Sequence, residues 1–330
     1  MVDTSRFLGL VAAAGVVYLC AGVLVARAGA RRWGVAAAHE SRAERWARRG
    51  ALGLAGAGLL ALGWAFLEPH FPEVTRVRIR TPKLRGTRAF RIVQISDLHS
   101  DPAPRLEDRL PDLVLGLEPD AVVFTGDAIN CKAGLAHFRR CMRGIADQCP
   151  TFGVGGNWEA WWFRDADVFA TTGVQALNGQ ARLVRAAGNA VWFAGADVEC
   201  EDRIGPALAQ AGDGFRVLLH HYPCTWQLAR KHGADLQLSG DTHGGQVALP
   251  LVGPLVRISR YDKAFYRAGL HRKGAFHLYV NRGIGMEGGA VPRVRFLRRP
   301  EITLIELVPA RAGPSPAPDM PAAHAADRAE

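Results

Sequence analysis

Four short runs of this chain pair side chains that bind divalent cations: Asp97-Leu98-His99, Gly126-Asp127, Gly156-Asn157-Trp158-Glu159 and Gly240-Asp241-Thr242-His243. With His221 they supply a set of oxygen and nitrogen donors, namely Asp97, His99, Asp127, Asn157, His221, Asp241 and His243. Carboxylates and imidazoles suit first-row divalent ions. The neutral amide oxygen of Asn157 is a modest ligand, useful where anionic ligands are already present. Asp97 and His99 stand at i and i+2, as do Asp241 and His243. On an extended chain such a pair points to one side and can hold one ion. Asp127 follows a glycine that permits a sharp turn, and a carboxylate there can bridge two ions. A bridged metal pair hydrolyses phosphate esters. His220 and His221 are adjacent, so only one of them can face such a site. Each run alone is weak evidence, since Asp-x-His, Gly-Asp and a turn Asn all occur without function. Their joint placement carries the argument.

That placement depends on the elements between them. Apolar stretches predict strands at residues 74–79, 90–96, 120–125, 151–155, 190–194, 215–220, 236–239, 275–281 and 302–307. Helices are expected over 106–117, 135–146 and 225–232. Strand, helix and strand in alternation predict an α/β sheet. The donor runs all fall at predicted strand ends, where neighbouring strands of an open sheet converge on one point.

The formal charge of +10 raises the question of nucleic acid, but its distribution points elsewhere. Residues 7–26 are uncharged over about 20 positions, the length of a membrane span, and residues 51–67 form a second run of about 17. Between them lie Arg27, Arg31, Arg32, Arg42, Arg45, Arg48 and Arg49, opposed only by Glu40 and Glu44. Short basic loops stay in the cytoplasm. The expectation is a multi-pass cell-membrane protein, its helical hairpin (residues 1–69) carrying an extracytoplasmic catalytic domain (70–308) and a disordered tail (309–330). Gly53, Ala57 and Ala61 recur every fourth residue and would let the helices pack closely. A signal peptide fits the first run less well, because Asp3 precedes it and its apolar core is long. A buried or re-entrant second helix would instead leave the domain cytoplasmic. Trp33 and Trp46, set among the arginines, suit an anionic lipid surface or a solvated loop. The six cysteines lack metal-ligand spacing, leaving free thiols or one or two disulfides.

With these motifs in place, the chain resembles the calcineurin-like metallophosphoesterase superfamily, whose pattern is D-x-H, G-D-x-x, G-N-H-[DE], H and G-H-x-H. The resemblance spans about residues 88–308. Leu236-Gln237-Leu238-Ser239-Gly240, Thr242-His243-Gly244-Gly245-Gln246, Asn281-Arg282-Gly283-Ile284-Gly285 and Arg299-Pro300-Glu301-Ile302-Thr303-Leu304 resemble its membrane-associated YkuE-like branch. The resemblance implies a four-layer αββα sandwich and a dinuclear centre activating a bridging hydroxide. By position, one metal takes Asp97, His99, Asp127 and His243. The other takes Asp127 as bridge, Asn157, His221 and the residue at 241. His221 is preferred to His220 because the family histidine stands two residues before a proline, here Pro223.

Two departures matter. The family's G-H-x-H reads Gly240-Asp241-Thr242-His243, and an added carboxylate shifts preference toward Mn²⁺, with Fe²⁺, Mg²⁺ and Zn²⁺ as alternatives. The family's catalytic histidine is replaced by Trp158, which has an N–H donor but no titratable proton near neutral pH. Catalysis is therefore expected to rest on Asp127 and Asn157, with Trp158 at the acid position or His220 as a surrogate. Trp158, Trp161 and Trp162 could equally form an aromatic wall for a lipid or sugar, or be core aromatics. The expected substrate is a phosphodiester, pyrophosphate or lipid-linked phosphate. One alternative is a UDP-2,3-diacylglucosamine pyrophosphatase of lipid A synthesis, which needs a cytoplasmic site. Another is a metal-binding but catalytically weakened sensor or scaffold. A nuclease using Arg257, Arg260, Lys263 and Arg267 ranks third, and no nucleic-acid partner is expected.

Overall fold

The computed structural model describes residues 2–3, 5–33, 41–255, 257–258, 268–288 and 293–310. The tail expected from residue 309 and the nuclease candidates Arg260, Lys263 and Arg267 fall largely or wholly outside them. In chain order the main elements are α1 (Ser5–Arg32), α2 (Arg42–Leu67), β1 (Glu73–Thr81), β2 (Phe90–Ile95), α3 (Leu110–Leu115), β3 (Ala121–Thr125), α4 (Leu135–Ala146), β4 (Thr151–Val154), α5 (Asn157–Trp162) and β5 (Gln175–Ala176). They continue as β6 (Gln180–Ala186), β7 (Asn189–Gly195), α6 (Ile204–Ala209), β8 (Phe215–Leu219), α7 (Trp226–Lys231), β9 (Leu236–Ser239), β10 (Gly269–Lys273), β11 (Phe276–Val280) and β12 (Glu301–Pro309).

Two six-stranded sheets stack face to face. One has the order β1-β12-β2-β3-β4-β5, the other β10-β11-β9-β8-β7-β6. Within the first, β2, β3, β4 and β5 are parallel, and β12 runs antiparallel to β2. In the second, β7, β8, β9 and β11 are parallel, and β6 and β10 close the edges antiparallel. Phe90, Ile92, Val123, Phe152, Phe193, Val217, Leu236 and Tyr279 fill the space between the sheets. The outer face of the first sheet packs on α3 and α4 through Val93, Phe124, Phe138 and Met142. In α4 the buried residues Phe138, Cys141, Met142 and Ile145 recur with helical spacing, so one stripe faces the sheet. The second sheet packs on α6 and α7 through Leu218, Ile204, Leu208 and Ala229. The expected αββα layering is therefore present.

Ahead of it, α2 runs unbroken behind an Ser41–Glu44 capping box, and Arg31 pairs with Glu44 at 2.9 Å. The helix Arg42–His70 is long and apolar enough to cross a membrane. The two helices approach at Tyr18, whose hydroxyl donates to the Ala55 carbonyl at 3.0 Å and lies against Gly58. This corrects the expected small-residue row, since Gly53 and Ala57 are exposed. All six cysteines are free thiols.

Candidate metal centre

Every donor run sits just past the carboxyl end of a parallel strand. Asp97 and His99 follow β2, Asp127 follows β3, Asn157 follows β4, His221 follows β8, and Asp241 and His243 follow β9. Both sheets thus deliver ligands to one edge of the sandwich. Asp97, His99 and His243 form one group and Asp97, Asp127 and His221 a second, with potential ligand atoms within 4.8 Å of one another in each. Asp127 Oδ2 lies 3.5 Å from His99 Nε2 and 3.4 Å from His221 Nε2, so one carboxylate oxygen touches both groups. His221 Nε2 also lies 3.1 Å from Asn157 Oδ1 and 3.5 Å from Asp241 Oδ1. His243 Nε2 is 3.4 Å from Asp97 Oδ1. All seven residues are buried.

The backbone reaches this arrangement by a route the i, i+2 argument does not anticipate. Asp97 (φ 50°), His99 (φ 44°), Asp127 (φ 61°), Asp241 (φ 67°) and His243 (φ 49°) are all left-handed rather than extended. The pairs converge because the chain coils at the strand ends, a conformation uncommon outside glycine. Inter-loop hydrogen bonds hold it: Asp97 N–H to the Gly126 carbonyl (2.9 Å), His99 N–H to the Asp127 carbonyl (3.1 Å) and Asp241 N–H to Asp97 Oδ1 (3.1 Å). Close approach also demands glycine. A Cβ on Gly156 would collide with the Asp127 carboxylate, and one on Gly240 with Asp97 Oδ2 and Ser96 Oγ.

Glu159 is a supporting residue that no ligand argument singled out. Its carboxylate accepts the N–H groups of Asp127 (3.0 Å), Ala128 (2.8 Å) and Gly156 (2.7 Å), tying the Asp127 loop to the start of α5. The backbone N–H of Trp158 donates to Asp127 Oδ1 at 3.0 Å. Burial, reinforced by the Asp127 charge, pushes Glu159 up to about 7. Burial likewise raises Asp127, although His221 opposes it. Burial works against a charged His221, but Asp127, Asp241 and Asp97 outweigh it and hold this imidazole well above its usual range. Burial lowers His99 well below that range, helped by His243. His221 Nδ1 is 2.6 Å from the Thr125 carbonyl. An N–H there aims Nε2 at the carboxylates, the orientation common in metal-bound histidines.

Three expectations about the acid position resolve differently. His220 is buried on the other side of its strand end. Its Nδ1 accepts the Tyr222 N–H at 3.1 Å and lies 3.3 Å from Thr225 Oγ1, and its Nε2 is 3.9 Å from Glu201 Oε1. All of these partners lie outside the donor cluster, which removes His220 as the surrogate acid. Burial also lowers it to about 4. The half-buried Trp158 ring meets His99 edge-on, with centroids 4.9 Å apart, and stacks on Phe163 at 6.5 Å. Trp161 and Trp162 are exposed, so the three tryptophans do not share one wall. Arg295 was also missed by sequence reasoning. It is fully buried, donates to the carbonyls of Gly283 (3.1 Å) and Arg298 (3.0 Å), and lies 3.4 Å from His243 Nδ1.

The donor set fits divalent ions. Asp97 Oδ2, both ring nitrogens of His99 and His243 Nε2 are buried without a hydrogen-bond partner. Each such orphan costs about 1–3 kcal/mol, so four in one cluster call for a ligand. Oxygen and imidazole donors suit Mn²⁺, Fe²⁺ and Zn²⁺ alike.

A two-sheet α/β sandwich with carboxylates and imidazoles gathered at its strand ends defines a metallophosphoesterase. The chain belongs to the calcineurin-like phosphoesterase family, whose model matches residues 90–245. It is similar to the metallophosphoesterase YkuE of Bacillus subtilis (33% identity, covering 78% of this chain and 95% of YkuE). It is also similar to the phosphodiesterase YaeI of Escherichia coli (29%; 74% and 91%). A third relative is the UDP-2,3-diacylglucosamine pyrophosphatase LpxG of Chlamydia trachomatis (27%; 76% and 93%). The protein is accordingly a hydrolase acting on phosphoester bonds.

Proposed function

We propose that this chain is a membrane-anchored hydrolase of a phosphodiester, pyrophosphate or lipid-linked phosphate, working with two divalent ions held by Asp97, His99, Asp127, Asn157, His221, Asp241 and His243. The carrying observation is the cluster of buried donors at five strand ends, among them the unsatisfied atoms of Asp97, His99 and His243. Two ions there would activate water and neutralise the phosphate oxygens during in-line displacement. Asp97 belongs to both ligand groups, Asp127 faces His99 of one and His221 of the other, and Asn157 joins the His221 side. The carboxylate of Asp241 favours Mn²⁺ as the working ion. Glu159 and the Trp158 N–H position Asp127, and Thr125 orients His221. No titratable side chain stands at position 158, so good leaving groups should react best.

Anchoring rests on α2 and on the apolar residues of α1. Val2–Asp3 pair with Arg257–Ile258, which is consistent with both ends of the hairpin meeting the catalytic domain. The arginines between the helices favour a cytoplasmic loop and an extracytoplasmic domain. The LpxG relative supports a lipid-linked diphosphate as substrate, which would instead place the domain in the cytoplasm.

The test is purified full-length protein loaded with Mn²⁺ and assayed on para-nitrophenyl mono- and diesters and on UDP-2,3-diacylglucosamine, with elemental analysis alongside. Two ions per chain and diester turnover are expected. Two ions with no turnover on any activated ester would favour a metal-binding sensor, the reading that Trp158 beside His99 supports. One ion or none overturns the dinuclear centre. Labelling of a cysteine at position 320 only after permeabilisation would place the domain in the cytoplasm.

A further inference from the structure

The apolar helix is joined to the donor cluster without a flexible linker. The Arg295 N–H donates to the Ala65 carbonyl in the last turn of α2 at 3.1 Å. Just beyond that turn, the Glu68 carboxylate accepts the N–H groups of Leu297 (2.8 Å) and Arg298 (2.6 Å) and the indole N–H of Trp64 (2.8 Å). Arg298 in turn donates to the Gly244 carbonyl at 2.8 Å, one residue past His243. The end of α2 and the ligand loop therefore form one hydrogen-bonded body.

Around this junction, large apolar side chains stand in solvent. Phe71 stacks on Trp64 at 6.0 Å, and both are exposed. Leu297 is exposed and left-handed at φ 54°. Its neighbour Phe296 bridges to Val247, at the root of a short hairpin in which Ala248–Leu249 pair with Gly253–Pro254. The tip of that hairpin carries Leu251, fully exposed with φ 65°, and exposed Val252. A leucine gains nothing in water from a left-handed turn that glycine or asparagine fills more easily. Two such leucines beside the exit of one apolar helix point to an apolar partner. Aromatic rings at the end of a span mark the membrane–water boundary. Arg299 is exposed there and, among the described residues, bonded to the carbonyls of Phe71 (2.8 Å) and Pro72 (3.1 Å), so its charge is available to anionic headgroups.

We propose that Leu251, Val252, Leu297 and Phe71 form a rim that dips into the interfacial layer of the bilayer entered by α2, holding the donor cluster against the headgroups. The occupant is the lipid surface itself, continuous with the helix. Its consequence is a substrate class: phosphate or diphosphate groups of membrane-resident amphiphiles, which reach the strand-end edge without leaving the bilayer. The proposal rests on the reading of α2 as a membrane span.

The test uses the full chain in nanodiscs of phosphatidylcholine and phosphatidylglycerol containing doxyl-labelled lipid. A fluorescent non-canonical residue is placed, one position at a time, at Leu251, Val252 and Leu297, at Leu60 within α2, and at Asp213 beside the opposite ends of the strands. Loss of emission with a blue shift is expected at 251, 252, 297 and 60, and none at 213. Quenching at 60 but not at 251, 252 or 297 overturns the rim while leaving the span intact. No quenching at 60 overturns the span, a failure distinct from loss of phosphoesterase activity. A blue shift at 251 that grows with protein concentration, without lipid quenching, would place a second copy of the chain on the rim and also overturn the proposal.

Discussion

Glu159 offers a quantitative test of how the donor cluster is held. Its carboxylate satisfies three amide donors, with Ala128 on Oε1 and both Asp127 and Gly156 on Oε2. Glutamine is nearly isosteric and keeps one acceptor oxygen. Placed at Oε2, that oxygen retains Asp127 and Gly156 but turns an NH₂ group toward the Ala128 N–H. One buried donor is then orphaned, at about 1–3 kcal/mol. Glu159→Ala orphans all three, and the same figure gives at least about 3 kcal/mol. Loss of these bonds also frees the left-handed Asp127 loop, so metal affinity should fall in the same order. The assay is chemical unfolding of chelator-treated full-length protein in detergent, followed by Mn²⁺ titration of each variant. Expected stabilities put the Ala variant below both wild type and Gln, since Gln loses one amide partner but also removes the cost of the buried charge. An Ala variant within about 0.5 kcal/mol of wild type, the scatter of neutral surface changes, would show that these amides find other partners and that the loop does not depend on Glu159.

Asp127→Asn keeps an oxygen for the Trp158 backbone N–H but removes the charge that His99 and His221 both face; elemental analysis should show occupancy falling at both sites, whereas loss of one ion with full retention of the other would refute a bridging role. Wild-type hydrolysis should depend steeply on leaving-group pKa, favouring bis-para-nitrophenyl phosphate over alkyl diesters. Trp158→His should flatten that dependence and speed the alkyl substrate by up to the roughly 10²–10⁴-fold of a general acid, and an unchanged slope would refute a missing acid. Burial, with Asp127, Asp241 and Asp97 adding to it against His243, pushes Glu287 up to about 7. With its folded pKa above the unfolded value, Glu287 lowers the stability of chelated protein as pH rises from about 4.5 through 7, by up to about 3 kcal/mol. Glu287→Gln should remove that part of the pH dependence of unfolding; parallel wild-type and variant curves from pH 5 to 8 would contradict it.

The donors were legible because ligand chemistry restricts residue type, and apolar strands announce where the chain stops and turns. All seven residues named from sequence meet at one edge of the sandwich. What sequence hid falls into recognisable kinds. The edge strands β6 and β10 (Gln180–Ala186 and Gly269–Lys273) carry charged, exposed residues and lack the apolar run that betrays a central strand. Helices α5 and α6 are only six residues each, too short for a periodic stripe to stand out in sequence. Arg295 sits in a basic stretch that reads as surface, yet it is buried among carbonyls beside His243. Glu159 reads as part of a motif, but its role is fixed by three amides, two of them about thirty residues away. The i, i+2 spacing was a sound signal with the wrong cause, because convergence comes from left-handed coils and not from an extended chain.

Those coils also bear on how metal and fold are related. A non-glycine residue in the left-handed region is disfavoured by about 1–2 kcal/mol. Five such residues at the cluster therefore amount to about 5–10 kcal/mol of local strain, comparable with the whole stability of an ordinary domain. Bound ions need not carry that load alone. The strained residues are cross-tied, Asp97 N–H to Gly126, His99 N–H to Asp127 and Asp241 N–H to Asp97, and the glycines at 156 and 240 let the loops close to contact. Two of these ties join neighbouring loops of the first sheet, and the third, from Asp241 to Asp97, joins loops of the two sheets, which only the assembled sandwich brings together. With these ties in place, the fold would set the loop geometry before metal binds. Variants that delete a ligand side chain but keep these backbone ties should lose metal while staying folded. Variants that cut the ties, such as Glu159→Ala, should lose stability and metal together.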